Sequence, residues 1–322
     1  MKAINIKKFG GPEVLEYKEI EIGEPGPKEV LVKNLSIGLN YIDVYHRTGL
    51  YPVELPSGLG LEAAGIIEEI GSEVKLFNIG DRVCKASAPI GGYSEKQIVP
   101  EEKLVKIPDG ISDEIASSIL LKGITSEYLL HRAYKVKKGD KILFHAAAGG
   151  VGQILCQWAK NIGAYVIGTV SNSHKEKIAK LNGCDFVINY TENEFDEKII
   201  EITEKKGVDV IYDSVGKDTF LKGIKCLAPK GKIVSFGVSS GPIEPININL
   251  LRSFSGSIAT GGLNTYIKDS DEMQNNADAF FDLILKKEID IDITNEFNIE
   301  EIQKAQLSLE SRQTTGSVIL KF

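Results

Sequence analysis

The chain has 322 residues, of which 42% are hydrophobic and 26% charged, and carries a net charge of −7. That length suggests two domains with ample core, and the acidic balance counts against a non-specific nucleic-acid binder, which needs a basic surface to displace counterions. No apolar run is long enough to span a bilayer, and the start Met1-Lys2-Ala3-Ile4-Asn5-Ile6-Lys7-Lys8 lacks the apolar core of a signal peptide, so the expected location is cytoplasmic.

Residues 1 to 124 read as β-rich. Val30-Leu31-Val32, Ala64-Gly65-Ile66-Ile67 and Arg82-Val83-Cys84 are short β-prone runs separated by Gly-Pro, Pro-Gly, Gly-Ser and Gly-Asp turns, a spacing that suits a compact barrel or twisted sheet. From 125 onward helix and strand alternate. Helices are expected at 125–133, 151–162, 174–182, 194–205 and 218–227, and strands at 141–146, 165–170, 185–189, 208–213, 231–236 and 256–260. Such alternation predicts a parallel, doubly wound sheet. Helices at 270–287 and 299–310 and a closing strand at 317–322 follow, and the tail is expected to rejoin the first domain.

The densest information lies in Lys141 to Gly163. An apolar run, Ile142-Leu143-Phe144, ends in His145-Ala146-Ala147-Ala148-Gly149-Gly150-Val151-Gly152 and opens into a helix with apolar residues at Val151, Ile154, Leu155, Trp158, Ala159 and Ile162. Ala147, Gly149 and Gly152 have the G-x-G-x-x-G spacing with Ala for the first Gly. A strand-to-helix turn bare of side chains lets backbone N–H groups approach a pyrophosphate while the helix N-terminus adds partial positive charge. The strand Tyr165 to Val170 completes the β-turn-α-β unit that the fingerprint requires.

Cofactor choice is read at the end of that second strand. An NAD site places a carboxylate there for the ribose 2′-hydroxyl, whereas this chain has Ser171-Asn172-Ser173-His174-Lys175. Ser173 and Glu176 have the spacing of a capping box, which predicts a helix starting at Ser173 with Lys175 in its first turn. Lys175 is then placed for a 2′-phosphate, which favours NADPH; a solvated surface lysine is the alternative.

The four cysteines, Cys84, Cys156, Cys184 and Cys226, are scattered without zinc-ligand or disulfide spacing, and Cys84 and Cys156 are expected to be buried free thiols. Gly237-Val238-Ser239-Ser240-Gly241 matches a nucleophile elbow, but Pro242 and Pro245 oppose the helix such an elbow requires. Gly58-Leu59-Gly60-Leu61-Glu62-Ala63 also fits a relaxed glycine fingerprint, but follows Pro56-Ser57 and leads into β-type sequence, and is expected to be a turn.

A set of motifs in order then carries a family resemblance: Asn40-Tyr41-Ile42-Asp43, Arg47-Thr48-Gly49-Leu50-Tyr51-Pro52, Gly58 to Gly65, Gly80-Asp81-Arg82-Val83, His145 to Gly152, Tyr212-Asp213-Ser214-Val215-Gly216 and Ser235-Phe236-Gly237. Over essentially its whole length the chain resembles the medium-chain dehydrogenase/reductases, and among them the zinc-independent, zeta-crystallin-like NADPH:quinone oxidoreductases. The resemblance implies an α/β fold with a GroES-like barrel domain, residues 1–124 and 262–322, and an NADPH-binding Rossmann domain, residues 125–261. Zinc-bearing members of the superfamily have Cys where this chain has Asn40 and His where it has Leu61, and they carry a lobe of four cysteines where residues 84–100 offer only Cys84. No metal is therefore expected, and no flavin.

By the same resemblance the cofactor site comprises Asn40 and Tyr45 near the nicotinamide, Thr125, and Gly149, Gly150, Val151 and Gly152 at the pyrophosphate. Ser171, Lys175 and Tyr190 surround the 2′-phosphate and adenine, Ser214, Phe236, Gly237 and Val238 line the nicotinamide half, and Arg312 reaches in from the tail. Asn40, Tyr45 and Tyr51 are the candidate catalytic residues that orient an acceptor in an interdomain cleft. Taken singly, each of these is more often structural than functional: Asn40 a helix cap, Tyr45 and Tyr51 core fillers and Arg312 a surface ion-pair partner. The implied activity is NADPH-dependent quinone reduction; no firm proton donor is identified, and water can protonate the product. Enone or enal reduction, and an NADPH-binding structural or RNA-binding protein with little turnover, stay open as alternatives. A homodimer formed by edge pairing of the strand near Ser257 to Thr260 is a further implication.

Overall fold

The computed structural model of the chain describes residues 1–267 and 269–322. Strands β1 (Lys2–Ile6) and β2 (Glu16–Glu19) pair antiparallel, and β3 (Glu29–Leu39) follows. Helix α1 (Tyr41–Thr48), the short β4 (Ser57–Gly58), and strands β5 (Glu62–Ile70), β6 (Arg82–Ala86), β7 (Lys96–Pro100) and β8 (Val105–Lys106) lead to α2 (Asp113–Tyr128). Alternating strands and helices come next: β9 (Lys141–Phe144), α3 (Gly150–Ile162), β10 (Tyr165–Val170), α4 (Ser173–Leu181), β11 (Phe186–Asn189), α5 (Phe195–Ile202), β12 (Val208–Asp213), α6 (Phe220–Ile224) and β13 (Leu227–Ser235). Strand β14 (Ser257–Thr260), α7 (Leu263–Tyr266), α8 (Ser270–Leu285), β15 (Ile293–Asn298), α9 (Ile302–Glu310) and β16 (Ser317–Lys321) close the chain.

Two compact units result. The first comprises Met1–Lys122, Ile267–Leu285 and Ile291–Phe322, the second Gly123–Tyr266 and Lys286–Asp290, so the division falls within α2. The first unit is organised by β3, whose eleven residues pair antiparallel with β5, β7 and β16. One end of β3 sends Val30 and Val32 into a cluster with Ile67, Val83, Val99 and Leu104. The other sends Ile37 and Leu39 into a cluster with Ile4, Ile6, Tyr93, Ile302, Val318 and Leu320, which ties the tail strand β16 to the N-terminus. Burial of this much aliphatic surface is the main favourable term in the unit.

In the second unit six parallel strands run in the order β11-β10-β9-β12-β13-β14. The order reverses between β9 and β12, the switch point where the two halves of a doubly wound sheet diverge. Ile142, Leu143, Ile167, Ile188, Val210, Ile211 and Ile233 are buried along these strands, as expected for a sheet covered by helices on both faces. Cys84, Cys156, Cys184 and Cys226 are all buried and free.

Several expected boundaries need correction. The helix read as 125–133 starts at Asp113, capped by the Ser112 hydroxyl, which accepts the Ile115 N–H at 3.2 Å, and continues after Tyr128 as a π-helical turn over Leu129–Ala133. Its first half escaped notice because Ala116 to Leu120 are buried on every side, which erases the polar contrast of an amphipathic helix. Asn172, not Ser173, caps α4: its side-chain oxygen accepts the Lys175 N–H at 2.9 Å, while Glu176 pairs with Lys180 one turn on. The strand expected over 141–146 stops at Phe144 because Ala146 turns to φ +59, and α5 ends at Ile202 ahead of left-handed Glu204 and Lys205. Helix α6 covers only Phe220–Ile224, and β13 starts early, at Leu227.

The substituted first glycine of the fingerprint has a structural counterpart. A Cβ placed on Gly168 of β10 would lie 2.6 Å from the Ala147 methyl and 2.8 Å from Cys184 Sγ, so the bare strand position makes room for Ala147. Gly168→Ala is expected to lower stability by about 1–3 kcal/mol through overpacking. Addition of Ala147→Gly should recover part of that loss in denaturant melts; no recovery would disprove the pairing.

Candidate active site

The carboxyl ends of the parallel strands gather most of the cofactor candidates. After β9 the chain turns through His145 to Ala148, with the Gly149 N–H returned to the Ala146 carbonyl at 2.9 Å. The first intrahelical bond of α3 is from Gln153 N–H to Gly149 carbonyl, 2.9 Å, and no side chain caps the helix. The N–H groups of Gly150, Val151 and Gly152 therefore point out of the helix end toward any anion placed there. Gly152 cannot carry a side chain, because its Cβ would lie 2.6 Å from both the Ala146 and Ala147 carbonyl oxygens. This bare cradle at the switch point fits the pyrophosphate of a dinucleotide.

Three further loops flank it. Asp213, fully buried at the end of β12, accepts N–H bonds from Val215 (2.7 Å) and Gly216 (2.9 Å) and the Thr219 hydroxyl (2.8 Å), fixing the Ser214 loop. In the sequence Asp213 stands within a motif with nothing local to mark this task. A Cβ on Gly237 would lie 2.9 Å from the Ser214 carbonyl oxygen, so the bare position lets the loop after β13, with Phe236 and Val238, close on the Ser214 loop. The Phe236 N–H donates to the Asp213 carbonyl at 2.9 Å. No helix follows Ser239 before Ile248, so the strand-turn-helix of a nucleophile elbow is absent there. At the ends of β10 and β11, Tyr190 N–H donates to the Val170 carbonyl (3.0 Å) and the Thr191 hydroxyl to the Ser171 carbonyl (3.4 Å). This holds Ser171, half-buried Lys175 and exposed Tyr190 in one neighbourhood. Thr125 is carried by α2 and is half-buried.

His145 sits beneath the glycine turn. Its Nδ1 meets Thr169 Oγ1 at 3.0 Å, its ring stands edge-on to Phe195 at 4.9 Å, and burial lowers its pKa, which keeps the imidazole neutral.

In the first unit the candidates cluster on α1. Asn40 is its N-cap residue, its backbone N–H donating to Asp43 Oδ2 at 2.9 Å. The Asn40 amide Nδ2 donates to Glu62 Oε2 at 2.7 Å. Glu62, fully buried, also accepts the Leu121 N–H at 2.7 Å and faces Lys122 Nζ at 3.6 Å. Burial raises the Glu62 pKa against the opposing pull of Lys122, Asn40 and Leu121. Tyr45 is buried with its ring 5.0 Å from that of Tyr51, which is 40% exposed, and 5.3 Å from that of Tyr41. Arg312, exposed in the turn after α9, exerts its charge on the Tyr41 hydroxyl. Asn40, Tyr45 and Tyr51 are thus neighbours along one helix and its turn, with Asn40 also serving as the helix cap.

A zinc site does not fit these residues. Position 40 supplies an amide already donating to Glu62, position 61 a buried leucine, and Glu62 itself is held against a lysine. Among the described residues no group of three or more His, Cys, Asp or Glu side chains could hold a metal ion, and no helix is long and apolar enough to cross a membrane.

A mostly antiparallel β-domain, completed by the parallel pair β15 and β16 of the chain's tail, and a six-stranded parallel sheet with a glycine cradle at its switch point define a two-domain nucleotide-type dehydrogenase architecture. The alcohol dehydrogenase GroES-like domain matches residues 26–109, and the zinc-binding dehydrogenase domain residues 150–282. A quinone oxidoreductase of Pseudomonas aeruginosa is 47% identical over 322 residues, covering 99% of both chains. A 2-haloacrylate reductase of a Burkholderia species is 40% identical over 98% of this chain and 97% of its own. The solved structure of Escherichia coli quinone oxidoreductase complexed with NADPH matches with a TM-score of 0.98 at 42% identity over 100% of each chain. The chain belongs to the quinone oxidoreductases of the medium-chain dehydrogenase/reductase superfamily.

Asp43 gives the first unit a pH signature. Burial raises its pKa to about 6, against hydrogen bonds from Tyr93 (2.7 Å) and Asn40, while burial lowers that of Lys85 to about 7. The folded state then holds a proton on Asp43 that the unfolded chain has released above pH ~4, so stability from this group is lost as pH rises from about 4 to about 6. Asp43→Asn should remove a negative slope worth on the order of 3 kcal/mol across that window in urea melts; identical slopes in the two proteins would refute it.

Proposed function

We propose that the protein is an NADPH-dependent quinone reductase that works without metal or flavin, in the cytoplasm. The acceptor class is supported by full-length similarity to the Pseudomonas aeruginosa quinone oxidoreductase. The choice of NADPH is supported by the end of β10, which carries Ser171 and Lys175 and no carboxylate, and by full-length likeness to the Escherichia coli enzyme solved in complex with NADPH. Bound NADPH would supply the hydride.

The roles of the chain's own groups follow from their chemistry. The N–H groups of Gly150, Val151 and Gly152 bind the pyrophosphate beside the bare Gly149, and Thr125 supplies a hydroxyl to the cofactor. Lys175 and Ser171 bind the 2′-phosphate, Tyr190 packs on the adenine, and Arg312 pairs with a phosphate oxygen. Ser214, Phe236, Gly237 and Val238 shelter the nicotinamide half from water. Asn40 and Tyr45 orient the nicotinamide, and Tyr45 and Tyr51 hold the acceptor oxygen, with water as proton source. The β-domain, residues 1–124 and 262–322, serves the acceptor, and the parallel-sheet domain, residues 125–261, serves the cofactor. Homodimerisation through the sheet edge is supported by β14, which among the described residues pairs with β13 alone.

A second reading, reduction of activated double bonds, is supported by the 40% identity to the 2-haloacrylate reductase. Both are tested by following NADPH absorbance with a panel of ortho- and para-quinones beside α,β-unsaturated ketones, aldehydes and acids, with and without chelator. Quinone turnover that survives chelation is the expected result; turnover confined to the unsaturated carbonyl compounds would replace the main reading by the second. Lys175→Ala should weaken NADPH binding roughly tenfold or more and leave NADH unchanged, since one charge-assisted contact to the 2′-phosphate is lost. Equal losses for both cofactors in a fluorescence titration would remove Lys175 from that role.

A further inference from the structure

The motif Arg47-Thr48-Gly49-Leu50-Tyr51-Pro52 contains a charge for which the catalytic reading has no use. Arg47 lies in α1 and is buried almost completely. Four of its five N–H groups are engaged: Nε donates to the Gly10 carbonyl at 3.1 Å, and Nη1 to Gln306 Oε1 at 2.6 Å. Nη1 and Nη2 then grip the two oxygens of Glu310 at 3.0 and 2.7 Å. A planar fork on a carboxylate fixes orientation as well as distance, which a point charge does not.

Both ends of this clamp lead to candidate site residues within the first unit. On the Arg47 side, α1 ends at left-handed Gly49, where a Cβ would lie 2.8 Å from the Phe9 ring, and the chain turns so that the Tyr51 N–H returns to the Tyr45 carbonyl at 3.1 Å. The Tyr45 and Tyr51 rings are thereby set by the placement of α1. On the other side, Glu310 is the last residue of α9, and Arg312 follows two residues later in a left-handed turn closed by its N–H to the Leu309 carbonyl at 3.1 Å. Tyr41, at the start of α1, senses Glu310, Arg312 and Arg47 together: burial raises its pKa, Glu310 adds to this, and the two arginines oppose it.

We propose that Arg47, through its fork on Glu310 and its bond to Gln306, is a positioning residue that locks α1 to the end of α9 and so sets Tyr45 and Tyr51 for the acceptor and Arg312 for the phosphate of NADPH. The inference rests on the roles proposed above for those three residues. Arg47 touches neither reactant in this scheme and acts through the geometry it imposes.

The test compares wild type, Glu310→Gln and Arg47→Lys in three measurements: the melting temperature, the dissociation constant of NADPH by fluorescence titration, and KM and kcat with a quinone. Glu310 is 29% exposed, so Glu310→Gln is expected to fold even if Arg47→Lys, with its buried partners, does not. The expected result is a rise of roughly tenfold in both the NADPH dissociation constant and the quinone KM, with a smaller change in kcat, in protein still folded at the assay temperature. Variants that melt lower but keep wild-type binding constants and KM would reduce the clamp to a stability element and overturn the proposal. Failure of the wild type itself to bind NADPH or reduce quinones would instead overturn the functional reading on which it rests.

Discussion

Glu62 is the constraint on which the β-domain depends. A carboxylate with no access to water is costly unless every oxygen is matched, and here β5 delivers it to an amide, a backbone N–H and an ammonium group. Those partners come from two helices: Asn40 starts α1, while Leu121 and Lys122 lie in α2. The carboxylate therefore fixes where both helices begin or pass. Gly38 on β3 completes the arrangement, because a Cβ there would lie 2.4 Å from Glu62 Oε2 and 2.0 Å from the Ser117 carbonyl oxygen. Glu62 adjoins Leu61 and holds the Asn40 amide, the two positions at which the resemblance puts zinc ligands in other members of the superfamily.

The parallel-sheet domain relies on steric absence instead of charge. Gly152, Gly168 and Gly237 are each pinned by a neighbouring atom less than 3.0 Å from where a side chain would start. Close approach of the turn to α3, of β10 to the turn, and of the β13 loop to the Ser214 loop all follow. Asp213 anchors that loop from within, turning the chain after β12 through three hydrogen bonds, and the Ser240 hydroxyl holds it from outside by donating to the Val215 carbonyl at 2.7 Å. Bare backbone and an uncapped helix end leave N–H groups where a pyrophosphate needs them.

Much of this was legible in the chain. The strand β10 and the helix following the glycine turn are read from periodicity because each has one clear face or one unbroken apolar run. The Gly149 to Gly152 turn and the missing carboxylate after β10 are local features, and they point to chemistry without tertiary information. The first half of α2 was not legible, because burial on all sides removes the pattern that marks a helix; only Ser112 and the acidic first turn signalled its start. The capping box at Ser173 was a valid local pattern defeated by a neighbour, since Asn172 reaches the Lys175 N–H first and Glu176 turns to Lys180.

The sequence by itself determined the class of architecture, the nucleotide fingerprint and the chemical types at the candidate site, because these depend on contacts between residues close in the chain. Only the tertiary structure decided that Asn40 is joined to Glu62 and that Arg47 is clamped by Gln306 and Glu310 more than two hundred residues away. Hydrogen bonds between distant segments leave no periodic trace, and a buried charge looks the same in a sequence as a solvated one; the strand pairing that brings the partners together is what tells them apart.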